Sequence, residues 1–272
     1  MLGRFPLGTM QGRLVPKFDG RYQAHPKGYW REEFDLAADI GLELIEFILD
    51  YDDAKFNPLL IDTWAIQRAV AETGVGVKSI CADYFMEAPL QRVPGAVEVL
   101  MQLIDTANRI GVKDIVIPCV DQSSLLGEAD AMAFVDAICP LMGKAYAAGV
   151  NLSLETDLAP RPFAELLERI GSGAVTVNYD TGNSASLGYD PVEEFSAYGE
   201  RITDIHIKDR PKGSGPVMLG EGDCDFDTVF NLIAKSSYEG PLIMQAYRDE
   251  EGVAVFNQQK SWLEDNFGER LH

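Results

Sequence analysis

Short apolar segments of strand character recur along the chain, with room for a helix between most of them. The eight segments are FPLGTM at 5–10, ELIEFIL at 43–49, VKSICA at 77–82, DIVIPCV at 114–120, NLSLET at 151–156, AVTVNYD at 174–180, ITDIHIK at 202–208 and PLIMQAY at 241–247. Segments of this length, flanked by polar or glycine-containing stretches, are typical of β-strands. The pattern therefore predicts eight strands.

The stretches between these strands contain apolar residues at helical spacing. They include REEFDLAADIGL at 31–42, PGAVEVLMQLIDTANRIGV at 94–112, MAFVDAICPLMGKAYAAGV at 132–150, PFAELLERIG at 162–171, PVEEFSAYG at 191–199 and FDTVFNLIAKSSY at 226–238. Parallel strands need crossover helices, so the alternation predicts a parallel sheet covered by helices. Eight repeats, with no G-x-G-x-x-G after the first strand, favour an α/β fold: a single (β/α)8 TIM barrel over residues 1–272.

Four long connections follow predicted strand ends, at 11–29, 83–91, 121–128 and 209–224. In a barrel the loops after the strands build the active-site face. Binding and catalytic residues are therefore expected in these loops and at the last positions of the strands.

Charge narrows the range of partners. The chain carries a formal net charge of −20 over 272 residues. A field of this sign repels phosphodiester backbones and acidic membrane surfaces. We therefore expect neither a nucleic-acid partner nor a membrane partner.

Cysteine usage and the N-terminus indicate the compartment. Cys81, Cys119, Cys139 and Cys224 form no C-x-x-C pair and show no zinc-type spacing, as expected for reduced thiols in a cytoplasmic protein. The segment MLGRFPLGTMQGRL lacks the apolar core of a signal peptide, and nowhere do 18 apolar residues run together. A cytoplasmic location is the expectation.

Three potential metal ligands stand near the ends of three successive predicted strands: Glu155, Asp180 and His206. A barrel directs such side chains to one mouth. Taken singly, an ion-paired carboxylate, a loop cap and a buried histidine are the simpler interpretations. Together they indicate one divalent ion, Mn²⁺, Mg²⁺, Co²⁺ or Zn²⁺. The other histidines are His25, in a predicted loop, and His272, the last residue.

At these residues the sequence resembles the xylose-isomerase-like barrel superfamily of sugar and sugar-phosphate isomerases and epimerases. The resemblance is carried by SLET at 153–156, NYDTGN at 178–183, HIKD at 206–209, GPVMLGEGDCDF at 215–226 and TMQGRLVP at 9–16. It implies a metal held by Glu155, Asp180 and His206, and a sugar or sugar-phosphate substrate. Barrels of this kind commonly form homodimers, so a homodimer is expected by analogy alone.

The chain departs from the family at the fourth ligand, which is normally a glutamate at the end of the eighth strand. The matching residue is Gln245. An amide oxygen can coordinate a divalent cation, although it cannot take a proton from carbon. Glu155 would act as the base on one face of the sugar. Two alternatives stay open: isomerisation by this one base, or a reaction in which Lys208 or Glu221 serves as the second acid or base.

Further polar residues are expected to contact substrate. They are Gln11, Arg13, Glu46, Asp83, Asp121, Asn183, Arg210, Glu221 and Arg248. Arginine donors suit a carboxylate or phosphate, and Lys208 is the strongest cationic candidate because it lies two residues beyond His206 on the same strand face. For each, an ion-paired or solvated surface role is an equal alternative.

Two weaker features allow two interpretations. Tyr22, Trp30, Tyr84 and Phe85 are candidates for an apolar wall over the site, with packing as the favoured interpretation. GEG at 220–222 is too short a pattern to predict a phosphate-binding loop, and its central residue is acidic.

The leading hypothesis is a divalent-metal-dependent isomerase or epimerase of a small ketose, sugar phosphate or related hydroxyketone, acting through an enediolate. The alternatives are a metal-dependent dehydratase or lyase on an inositol- or keto-acid-type substrate, and a metabolite-binding barrel without turnover, which Gln245 favours. A DNA-repair endonuclease is disfavoured, since the chain has three histidines and a charge of −20.

Overall fold

A closed barrel of eight parallel strands forms the centre of the molecule, in the order β1 to β8. The computed structural model describes residues 3–271, so His272 lies outside the described residues. The strands are β1 Leu7–Met10, β2 Leu44–Ile48, β3 Ser79–Cys81, β4 Asp114–Cys119, β5 Asn151–Thr156, β6 Val175–Asp180, β7 Ile202–Ile207 and β8 Leu242–Met244. The predicted α/β fold, a (β/α)8 barrel, is confirmed.

Helices cover the outside of the barrel and also form part of its upper loops. They are α1 Glu32–Asp39, α2 Pro58–Ile61, α3 Thr63–Thr73, α4 Tyr84–Glu87, α5 Ala96–Ile110, α6 Glu128–Ile138, α7 Met142–Ala148, α8 Pro160–Ile170, α9 Thr181–Leu187, α10 Pro191–Tyr198, α11 Phe226–Lys235 and α12 Val253–Phe267. Five of these helices close with a glycine in the left-handed region, as at Gly111 after α5 and Gly171 after α8.

Several predicted elements differ in extent from those observed, and two of these differences have a clear local cause. The helix predicted over 132–150 is divided into α6 and α7 by a 3-10 turn at Cys139–Leu141, where Pro140 lacks an amide donor. Strand β8 ends earlier than 241–247 because the Gln245 amide donates to the Ile243 carbonyl and leaves the ladder. This bend places the Gln245 side chain at the mouth of the barrel.

The core has two layers. The larger one lies between strands and helices and includes Phe34, Phe134 and Phe230, which are fully buried. The smaller one lies inside the barrel and consists of Met10, Leu44, Ile48, Cys81, Val116 and Ile243. These residues come from β1 to β4 and β8, so the interior on the β5 to β7 side is left to polar side chains.

One segment of the described chain, Glu128–Ala148, is long and apolar enough to cross a membrane by length and composition. It comprises α6, the 3-10 turn and α7. Its buried side chains include Phe134, Ile138 and Ala145, which belong to the outer core of the barrel. Its apolar face therefore has a partner within the fold.

Candidate metal and substrate site

A cavity of about 760 Å³ opens at the C-terminal ends of the strands, where barrel active sites lie. Glu155, Asn183, Lys208, Arg210 and Gln245 line its floor and one wall. Residues of the long loops at 11–29, 83–91 and 121–128 form other walls, together with the segment 50–52 after β2 and with Asp157, Ser186 and Leu187. The cavity thus lies where the sequence predicted it.

Glu155, Asp180 and His206 converge beneath this cavity. Asp180 is the last residue of β6, and Glu155 and His206 are the last but one of β5 and β7. The register pairs Asp180 directly with His206 across the sheet. The Nδ1 atom of His206 lies 3.4 Å from Glu155 Oε2 and 4.0 Å from Asp180 Oδ2. One ligand atom from each residue lies within 4.8 Å of the others, and all three side chains are buried. The distances between these three ligand atoms suit a single small cation.

Glu46 lies below His206 in the barrel interior. Its Oε1 atom is 2.8 Å from His206 Nε2, and neither side chain is exposed. Burial alone would lower the pKa of His206, but the carboxylates of Glu46 and Glu155 outweigh it and raise that pKa well above its usual range. Sequence reasoning placed Glu46 against substrate, whereas the structure places it on the far side of His206.

Two amides hold the carboxylate of Glu155. Asn178 Nδ2 donates to Oε2 at 2.8 Å, and Asn183 Nδ2 donates to Oε1 at 2.6 Å. Burial would raise the pKa of Glu155, but His206, Lys208 and Asn178 outweigh it, so the pKa is lowered. Glu155 is therefore an oriented carboxylate at neutral pH. Sequence reasoning missed Asn178, whose inward position follows from its spacing of two residues from Asp180.

Lys208 connects Gln245 to the acidic cluster. Its Nζ atom donates to Gln245 Oε1 at 2.7 Å and lies 3.4 Å from Asp180 Oδ2. The Lys208 side chain is 13% exposed and lines the cavity. Gln245, the candidate fourth ligand, is thus hydrogen-bonded to an ammonium group that lines the cavity.

The other predicted residues of the upper loops divide into two groups. Asp83, Asp121 and Arg210 line the cavity. Asp83 accepts hydrogen bonds from Gln23 and Cys81, and burial raises its pKa. Arg210 Nη1 donates to Asn183 Oδ1 at 2.7 Å, so it steadies the amide that holds Glu155.

The remaining residues form the base of the loop after β1. Gln11 Oε1 accepts from the Ile48 amide at 3.1 Å, and the buried Arg13 donates to the Ala246 carbonyl at 3.0 Å. Arg248 donates to the carbonyls of Gly12 and Val15. These three residues fix the loop and do not line the cavity.

The glycine-rich loop after β7 closes around a carboxylate of the protein itself. The amides of Gly220, Gly222 and Cys224 donate to Asp209 at 2.9, 2.9 and 3.1 Å. A Cβ at Gly222 would collide with the Asp209 carboxylate, which explains the glycine. Glu221 is exposed and does not line the cavity.

The aromatic residues proposed for a wall are mostly packed elsewhere. Trp30 and Phe85 are buried in the outer core, and Tyr22 stacks under the Arg13 guanidinium. The aromatic ring that lines the cavity is that of Tyr51, which stands 49% exposed and packs against Tyr84. Sequence reasoning missed Tyr51 because it follows the second strand, whose loop was not among the long connections.

Comparison with known proteins agrees with this architecture. A putative L-ribulose-5-phosphate 3-epimerase of Escherichia coli strain K12, SgbU, is 27% identical over 262 residues, which cover 86% of this chain and 90% of that protein. Among solved structures, a xylose isomerase-like TIM barrel protein from Mycobacterium smegmatis in complex with magnesium gives a TM-score of 0.74 at 17% identity, covering 100% of both chains. The IOLI protein with a zinc atom gives 0.73 at 15% identity, covering 96% of this chain and 97% of that one. The family model of the xylose isomerase-like TIM barrel matches residues 34–266. The chain therefore belongs to the xylose isomerase-like TIM barrel family.

Proposed function

We propose that this protein is a divalent-metal-dependent isomerase or epimerase that moves a proton on a carbon next to the carbonyl of a small ketose. The convergence of Glu155, Asp180 and His206 under the cavity carries the proposal. The named relative is a putative sugar-phosphate 3-epimerase, which supports chemistry on a ketose. Two neighbours of the same fold hold magnesium or zinc, which supports a metal.

The three side chains fit a divalent ion. Two carboxylates and one imidazole suit Mn²⁺, Mg²⁺, Co²⁺ or Zn²⁺, and no thiolate is among them. Burial raises the pKa of Asp180, and the nearby carboxylate of Glu155 raises it further, while Lys208 opposes the shift. A bound ion would polarise the ketose carbonyl and make the neighbouring C–H bond more acidic.

Glu155 is the proposed base. Its lowered pKa keeps it ionised, and the two amides fix the direction of its oxygens toward the cavity floor. It would take the proton from the carbon next to the carbonyl and leave an enediolate. Asn178 and Asn183 contribute by holding the carboxylate before substrate arrives.

Lys208 is the proposed second acid. Gln245 cannot transfer the proton, but it accepts a hydrogen bond from the Lys208 ammonium and so fixes its position. Return of a proton to the same carbon from the opposite face gives an epimer, whereas protonation of the former carbonyl carbon gives an isomer. Glu221, the other candidate, lies outside the cavity lining.

Solvent exchange tests this function. The protein reconstituted with Mn²⁺ would be incubated in D₂O with a panel of pentuloses and hexuloses, and deuterium at carbon followed by NMR. We expect one ketose to gain deuterium, and the labelled position identifies epimerisation or isomerisation. Glu155→Gln should abolish exchange, whereas Glu165→Gln, at an exposed position on α8, should not.

A non-catalytic binding barrel is the second candidate, and the Lys208–Gln245 hydrogen bond favours it because it occupies the place of the usual acid or base. Binding of a sugar by calorimetry with no deuterium gain for any ketose would establish this alternative and overturn the enzymatic proposal.

A further inference from the structure

We infer that the substrate is an uncharged ketose, without a phosphate or carboxylate group. This inference rests on the proposed function and specifies the substrate class of the same site. It distinguishes this chain from the Escherichia coli relative SgbU, which is named for a phosphorylated sugar.

The walls of the cavity are acidic. Besides the floor, six carboxylates line it: Asp50, Asp52, Asp83, Glu87, Asp121 and Asp157. A phosphate dianion would add two more negative charges to this acidic cavity, where the carboxylates repel it.

The cations of the cavity are already engaged. Arg21 lies 3.2 Å from both Asp50 and Asp52. Lys208 is bonded to Gln245 and lies beside Asp180. An incoming phosphate would have to displace a carboxylate from Arg21 before the guanidinium fork could bind it.

Arg210 is engaged as well. Its Nη1 atom donates to Asn183 Oδ1 and its Nε atom donates to the Ser214 carbonyl, both at 2.7 Å. Diverting it to a phosphate would release the amide that holds Glu155. Anion binding by Arg210 would therefore disturb the proposed base.

Two common phosphate-binding features are also used internally. The amides of the glycine-rich loop bind Asp209, as described above. The N-terminus of α9 is capped by Asp180, whose Oδ1 atom accepts from the Asn183 amide at 2.8 Å. Both sets of donors are thus bound to carboxylates of the protein.

The remaining lining suits a neutral sugar. Tyr51, Met86, Val120 and Leu187 give the cavity an apolar surface, against which the C–H faces of a sugar pack. The six carboxylates are hydrogen-bond acceptors for hydroxyl groups. An uncharged polyhydroxy ketone uses both kinds of contact.

Matched substrate pairs test the inference. D-ribulose, L-ribulose, D-fructose and D-tagatose would each be compared with the corresponding phosphate ester, with the Mn²⁺-loaded protein, by deuterium incorporation and by calorimetry. We expect kcat/KM for a free ketose to exceed that of its ester at least tenfold. The double variant Asp52→Asn/Asp121→Asn should narrow this ratio, whereas Asp39→Asn, exposed on the outside of α1, should leave it unchanged.

The proposed function and the inference of an uncharged substrate are contradicted by different results. Faster exchange of the phosphate ester would overturn the inference and leave the proposed function standing. If neither member of any pair exchanges, the proposed function fails, and calorimetry decides the inference: binding of the free ketose alone supports it, and tighter binding of the ester overturns it.

Discussion

The carboxylate of Glu46 lies 2.8 Å from the Nε2 atom of His206, and both side chains are fully buried inside the barrel. The opposite ring nitrogen, Nδ1, faces Glu155 and Asp180. A carboxylate behind a histidine in this way fixes the ring orientation and the tautomer that binds a metal. The proposed metal site is thus supported from within the barrel.

We therefore expect Glu46→Gln to weaken divalent-metal affinity about 10- to 100-fold while the protein remains folded. Isothermal titration with Mn²⁺ measures the change. Asp114→Asn is the matched control, because Asp114 is also buried in the barrel but bonds Thr203 and Asn151. Equal metal affinity in the wild type and Glu46→Gln would contradict the supporting role.

A substitution at Gln245 is expected to raise the metal affinity rather than lower it. Gln245→Glu would add a carboxylate beside Asp180 and Lys208, and a charged oxygen ligand binds a hard cation more strongly than an amide. Metal affinity is expected to rise at least about tenfold. Gln122→Glu, at the exposed rim of the same cavity, separates ligation from a general increase in negative charge. If both variants bind the metal equally well, Gln245 does not act as a ligand.

The fold was predictable from the sequence because each strand–helix unit has its own local pattern. The positions of Glu155, Asp180 and His206 followed from the rule that strand ends share one mouth. Glu46 was misplaced against substrate because the sequence does not show how deep in the barrel a strand residue lies. Arg248 was grouped with substrate for a similar reason: its partners are loop carbonyls of Gly12 and Val15, more than 230 residues away in sequence.

The glycine-rich loop depends on Asp209. Asp209→Ala would leave the amides of Gly220, Gly222 and Cys224 without their acceptor. We expect a loss of about 3 kcal/mol in the free energy of unfolding, measured by urea denaturation. Glu221→Ala removes an exposed carboxylate from the same loop and should cost less than about 0.5 kcal/mol. Similar losses in the two variants would refute the proposed role of Asp209.

The buried carboxyl group of Glu33 is expected to make the free energy of unfolding depend on pH. It is fully buried and accepts from the Gly12 and Leu14 amides at 2.7 and 3.0 Å. Burial raises its pKa to about 7, although these bonds offset part of the effect. The pKa of Glu33 is thus higher in the folded protein than in the unfolded chain. The contribution of its protonation to the free energy of unfolding is therefore complete below about pH 4.5 and is lost as the pH rises through 7.

Glu33→Gln should remove this dependence. The free energy of unfolding of the wild type should fall, relative to the variant, by about 3 kcal/mol between pH 4.5 and pH 8. Urea denaturation across this range measures the difference, and Glu32→Gln, exposed on the same helix, should follow the wild type. Parallel pH profiles for wild type and Glu33→Gln would contradict the raised pKa.

The metal content of the purified protein tests the central claim most directly. Elemental analysis would be made of the wild type without added metal and after reconstitution, beside Asp180→Ala and His206→Ala variants shown by circular dichroism to be folded. The account predicts about one Mn, Co, Mg or Zn ion per chain in the wild type and its loss in both variants. A wild-type protein that binds no divalent ion even after reconstitution, or variants that retain the ion in full, would contradict it.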